Sequence, residues 1–151
     1  MHYSLIILKY AWGLCLDKDV NTVMMVDEAH VLLSSHNELG AEFLAQIQRR
    51  SRKYNTGTII ITQQPTDFAA PNIITHGKAI FDNASYYLVM GLRKQAVDDL
   101  SKLIDLNDNE KEAIKYYNQG EALFICGNKR MKIQVVITQE ELDSFGSGGG
   151  Y

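Results

Sequence analysis

Val23-Met24-Met25-Val26-Asp27-Glu28-Ala29-His30 decides the reading of this chain. Four apolar residues running into two adjacent carboxylates predict a buried strand that delivers both acids to its C-terminal end, the rim where α/β folds place their ligands. This is the pattern of a Walker B motif, and it points to ATP hydrolysis. In such a site Asp27 holds Mg²⁺, directly or through a water, and Glu28 polarises the water attacking the γ-phosphate. Phosphoryl transfer is catalysed mainly by positioning and charge stabilisation. The competing role for Asp27 is a simple helix N-cap. The pairing of two acids with a four-residue apolar run favours the functional reading.

The partner motif is missing from these 151 residues. A Walker A loop needs Gly-x-x-x-x-Gly-Lys-Ser/Thr, so that backbone amides cradle the phosphates and the hydroxyl reaches Mg²⁺. The nearest approach runs from Asn72 to Ala79, where Gly77-Lys78 is followed by a residue without a hydroxyl and Asn72 replaces the first glycine. That stretch is not expected to bind phosphate. Either the phosphate-binding half precedes Met1 in a longer protein, or the domain hydrolyses nothing.

Outward from the motif, apolar residues Leu5, Leu8, Trp12 and Cys15 recur at helical spacing, so Leu5 to Leu16 predicts a helix with one buried face. Thr22 to Val26 and Thr58 to Thr62 predict strands buried on two faces, with a helix from Glu38 to Tyr54 between them. Strand, helix, strand favours parallel pairing through a right-handed crossover. Pro65 and Pro71 bracket an irregular connection, followed by a short helix through Ile80 and Phe81 and a third strand from Tyr86 to Met90. Helices from about Lys94 to Ile104 and Asn109 to Tyr117 precede a hairpin, Glu121 to Cys126 and Met131 to Thr138, closed by a loop from Gly127 to Arg130. Gln139 to Phe145 is a short helix at most, and residues 146–151 read as a flexible glycine-rich tail. The expectation is one α/β domain over residues 1–145, a partial nucleotide-binding fold with a mostly parallel sheet flanked by helices.

Composition excludes several classes. The 46% hydrophobic and 22% charged content is that of an ordinary globular protein, and no apolar run approaches the roughly 20 residues of a membrane span. A net charge of −3 is not that of a general nucleic-acid binder, so any direct DNA contact would be local. Cys15 and Cys126 lack Cys-x-x-Cys spacing, and His2, His30, His36 and His76 form no metal-ligand pattern.

Taken together, Val23 to His30, Arg49-Arg50-Ser51-Arg52-Lys53-Tyr54 and Thr58-Ile59-Ile60-Ile61-Thr62-Gln63-Gln64-Pro65 resemble the C-terminal part of conjugative-transfer, or type IV secretion, ATPases of the TraC and TraE kind. Phe81-Asp82-Asn83-Ala84-Ser85-Tyr86-Tyr87 and Gly120-Glu121-Ala122-Leu123-Phe124 look like that family's later strand and closing hairpin. More distantly the chain is similar to the RecA-like hexameric motors of the HerA and FtsK group. The resemblance implies a RecA-like P-loop NTPase fold, Mg-ATP bound between subunits of a hexamer, and a role in substrate export or pilus assembly. It implies partners among other secretion components and the coupling protein, and a cytoplasmic location at the inner face of the membrane, held there through those partners. The missing Walker A motif implies that this chain alone binds no nucleotide tightly and is inactive, with an exposed edge or apolar surface that self-association covers. The alternative is a non-catalytic interaction module that kept the scaffold.

The resemblance also assigns roles. Gln63, directly after the second strand, is the sensor whose amide bonds both γ-phosphate and attacking water; Gln64 points to the other side. Arg52 is the arginine finger reaching a neighbouring subunit's nucleotide, with Arg49 and Arg50 as substitutes. His30 completes Asp-Glu-Ala-His, the letters of a large helicase class, but neither Ser-Ala-Thr nor Gln-x-x-Gly-Arg-x-Gly-Arg follows, so a core or supporting role is expected. Gly127 to Arg130 and Lys132 read as a solvated hairpin tip rather than a DNA or partner contact.

Overall fold

The computed structural model describes residues 2–33 and 37–146, so His36 and the glycine tail beyond Gly146 lie outside the described residues. The chain divides into two compact units. One holds the residues up to Ala84 together with Arg93–Asn107, the other Ser85–Leu92 with the residues from Asp108 on.

In the first unit, α1 (His2–Leu14) leads to β1 (Thr22–Val26), then through a 3₁₀ turn (Ala29–Leu32) to α2 (Glu38–Arg50). A second 3₁₀ turn (Ser51–Tyr54) precedes β2 (Thr56–Ile60), α3 (Pro65–Phe68), α4 (Ile74–Asp82) and, after the excursion through the second unit, α5 (Lys94–Leu100). β1 and β2 pair in parallel with Thr22 beside Thr56 and Val26 beside Ile60. The strand–helix–strand expectation therefore holds, with the second strand beginning two residues earlier than its β-branched run suggests. Thr56 supplies the reason: its hydroxyl bonds the Cys15 carbonyl and lies 2.7 Å from that of Thr22. Asn37 caps α2 by accepting from the Gly40 amide, and Arg49 and Arg50 complement the dipole at its far end.

The strands are not buried on both faces, contrary to the sequence expectation. Met24 packs with Leu8, Trp12 and Ile47 under α1 and α2, but the opposite face presents Val23, Met25, Ile59 and Ile61 at 69, 61, 44 and 41% exposure. An uninterrupted apolar run implies cover on both sides of a parallel sheet. Here only one side is covered by the first unit's own helices.

The segment after β2, expected to be irregular, contains α3, which Pro65 starts from the first helical position. Phe68, fully buried, meets Phe81 of α4 edge to face at 5.4 Å in the main core with Leu44, Ile73 and Ile80. Asp99 of α5, only 4% exposed, accepts from Lys102 at 2.6 Å and Gln95 at 3.3 Å. It also bonds the Thr66 side chain, joining α5 to α3. The Lys102 bond, foremost, holds the Asp99 carboxyl below its ordinary range in spite of desolvation. A native value below the unfolded one contributes stability at neutral pH that disappears as pH falls through the native value. Asp99→Ala is expected to cost about 1–3 kcal/mol at neutral pH. Denaturant midpoints of the two proteins should converge below about pH 4.

In the second unit, β3 (Tyr86–Met90), β4 (Glu121–Cys126) and β5 (Lys129–Gln134) form an antiparallel sheet in that order. The third strand thus pairs with the hairpin, Tyr86 beside Cys126. The loop expected from Gly127 to Arg130 is a two-residue turn, since Cys126 already pairs with Lys129. Gly127 takes φ 55° there, a conformation that glycine accepts at little cost. α6 (Asp108–Lys115) buries Ile114, and α7 (Gln139–Phe145) begins with a capping box between Thr138 and Glu141.

Candidate functional site

Asp27 and Glu28 emerge from the C-terminal end of β1 at an irregularity in the parallel ladder. The Ile61 amide donates to the Val26 carbonyl at 2.9 Å, and the Ile61 carbonyl accepts from Ala29 at 2.9 Å. A regular parallel ladder would take that second bond from residue 28. One extra residue is therefore accommodated, as in a bulge, and the two acids are pushed out onto the rim. Glu28 adopts φ 48° and ψ 44°, left-handed for a residue with a full side chain. Such geometry costs on the order of 1 kcal/mol and concentrates at functional sites. Asp27 is exposed, with one carboxylate oxygen accepting from the Glu28 amide at 2.8 Å.

Gln63 stands three residues beyond β2, and its Nε2 donates to Glu28 Oε1 at 2.6 Å. The structure thus brings together Asp27, Glu28 and Gln63, three of the residues singled out in the sequence. Gln64 is exposed and precedes α3.

Arg52 is not part of this group. It lies in the 3₁₀ turn before β2, at the end of the strand opposite Gln63; five strand residues separate the two ends by about 17 Å. Arg50 is engaged locally: its guanidinium donates to the Tyr54 hydroxyl at 3.3 Å and sits 5.8 Å from that ring. The same bond, ahead of other causes, lowers the Tyr54 pKa.

Sequence reasoning missed where His30 would lie. The 3₁₀ turn after Glu28 swings its ring back, and Nδ1 approaches Glu28 Oε2 to 3.0 Å. Gly77, by contrast, lies inside α4 against the Phe68 carbonyl, so the Gly77-Lys78 pair of the Asn72 to Ala79 stretch sits in a packed helix rather than a phosphate loop. In the second unit, Arg130 pairs with Glu110 at 2.8 Å, and Lys132 pairs with Glu121 and lies 5.2 Å from the Tyr117 ring. These hairpin cations already have acidic partners.

Among the described residues no group of three His, Cys, Asp or Glu side chains could hold a metal by itself, and no helix is long and apolar enough to cross a membrane.

Comparison with known proteins agrees with this architecture. Residues 4–142 match the family of the TraG P-loop domain. Among solved structures, VirB4 of Thermoanaerobacter pseudethanolicus superposes with a TM-score of 0.83 and 31% identity over 90% of this chain. An uncharacterized protein of Bacillus anthracis is 22% identical over 139 residues, 87% of this chain. The chain spans 37% of that VirB4 chain and 22% of the Bacillus protein.

The fold is thus the mixed α/β fold of a P-loop domain. The chain belongs to the TraG P-loop domain family. Its resemblance to conjugative-transfer and type IV secretion ATPases holds at the level of family and fold, which do not single out the TraC and TraE kind.

Proposed function

We propose that this chain is the Walker B half of an ATPase that energises conjugative transfer or type IV secretion, by driving substrate export or pilus assembly. The observation that carries the reading is the cluster at the end of the parallel pair, where Asp27 is exposed and Glu28 is bonded to Gln63 at 2.6 Å. An exposed aspartate without further protein ligands suits Mg²⁺, which takes one or two carboxylates and completes its shell with phosphate oxygens and water. When bound, Mg-ATP supplies the phosphoryl group and the cation that neutralises its developing charge. Asp27 holds the metal, Glu28 orients and polarises water, and Gln63 exchanges its bond to Glu28 for one to the γ-phosphate. Arg52, remote from its own subunit's cluster, acts on a neighbour's nucleotide. The Walker A loop comes from sequence outside these 151 residues, and without it the chain does not hydrolyse ATP. In the complete protein the sites lie between subunits, a hexamer being the expected form, at the cytoplasmic face of the membrane with other secretion components and the coupling protein.

The apolar strand face supports self-association of the isolated chain. Light scattering is expected to give a mass that rises with concentration; a constant monomer mass over a wide range would remove this part of the proposal.

A second reading is a non-catalytic docking module that kept the scaffold. Cells carrying Asp27→Ala with Glu28→Ala in the complete protein are expected to lose conjugative transfer at normal protein levels. Normal transfer would favour the docking module.

A further inference from the structure

We infer that His30 is the positioning residue that fixes the Glu28 carboxylate, acting as a hydrogen-bond donor through Nδ1. The inference rests on the proposed role of Glu28 and extends it to a side chain for which the sequence suggested only a core or supporting role.

Each Glu28 oxygen has its own neighbour: Oε1 accepts from Gln63, and Oε2 faces His30 Nδ1 at 3.0 Å. Both atoms of the second contact are buried, and neither makes a regular hydrogen bond among the described residues. An ionised carboxylate only accepts, whereas an imidazole nitrogen donates or accepts according to where its proton sits. Two lone pairs held 3.0 Å apart and away from water would repel. The proton therefore belongs on Nδ1, and a contact short of full hydrogen-bond geometry is of the kind that tightens when a site closes on its substrate.

The two donors differ in their footing. Gln63 is exposed, on irregular chain beyond β2, and in the proposed mechanism it must leave Glu28 to meet the γ-phosphate. His30 belongs to a turn anchored on both sides: Ala29 is fully buried and bonds Ile61, while Leu32 and Leu33 are buried in the core. When Gln63 departs, His30 is the neighbour that remains to hold Glu28, whose left-handed backbone gives its side chain an uncommon starting direction.

The test has two readouts. In the complete protein, His30→Leu is expected to lower kcat by about 10- to 100-fold, the cost of a misplaced catalytic group. KM for ATP should stay within about twofold, because the metal ligand is untouched. His30→Asn, whose amide nitrogen takes the place of Nδ1, should recover most of the loss. Independently of turnover, nitrogen-detected imidazole spectra of the 151-residue chain should show the His30 proton on Nδ1, the signal being assigned by its absence in His30→Asn and displaced in Glu28→Gln. A neutral ring protonated only on Nε2 overturns the inference. So does full turnover in His30→Leu when Glu28→Gln is inactive, a result that leaves the role of Glu28 standing. Full turnover in Glu28→Gln removes that role and this inference with it. Should His30→Leu fail to fold by circular dichroism, the spectra and the Asn variant decide.

Discussion

Glu28→Gln in the complete protein keeps its affinity for ATP and loses hydrolysis by about 10²- to 10⁴-fold, the range associated with removal of a general base. Size and shape are preserved by the change, and the metal contact proposed for Asp27 is not involved. What disappears is the charge. The carboxylate accepts from Gln63 with one oxygen and faces His30 Nδ1 with the other. An amide offers a single acceptor, so its NH₂ must confront one of those two donors. The substitution therefore removes a base and also misaligns the remaining side chain. Asp27→Ala should behave differently, weakening Mg-dependent nucleotide binding itself. Equilibrium binding of a nucleotide beside steady-state hydrolysis separates the two; undiminished turnover in Glu28→Gln would remove that residue from the mechanism.

The Asp-Glu pair could be read in the sequence because its signal is local: an apolar strand stops and two charges follow. Gln63 was legible through the family resemblance, which assigns a sensor to the position directly after the β-branched run. Their meeting at 2.6 Å depends on the parallel register of β1 and β2, which the strand–helix–strand order implied. His30 was not legible, since its approach to Glu28 requires the extra residue in the ladder and the left-handed turn that follows it. A pattern of polar and apolar residues carries neither. The one-sided burial of the strands was missed for a different reason: an apolar run reports that a face is suited to cover, not which part of a protein covers it. The two-residue hairpin turn escaped because Asn128-Lys129-Arg130 extends a polar stretch that looks like loop, while the cross-strand pairing of Lys129 and Arg130 depends on β4.

Gly77→Ala is expected to destabilise the chain although alanine is the better helix former. In an open helix that exchange contributes roughly 0.8–1.0 kcal/mol of stability. Position 77 is not open. A Cβ built there would lie 2.1 Å from the Phe68 carbonyl oxygen and 3.0 Å from its carbon. Those are backbone atoms of α3, and the Phe68 side chain is fully buried against Phe81, so the carbonyl cannot retreat without moving α3 from α4. Overpacking a filled site costs about 1–3 kcal/mol and sometimes more. The clash exceeds the propensity gain, and a net loss of about 1 kcal/mol should appear as a lower urea midpoint with an unchanged slope. The variant also separates two meanings of Gly77-Lys78. A phosphate-loop glycine would lose nucleotide contact while leaving stability near its original value; a packing glycine loses stability first. A midpoint equal to or above that of the parent chain would mean that α3 and α4 are not in this close contact, and would reopen the question of what this glycine is for.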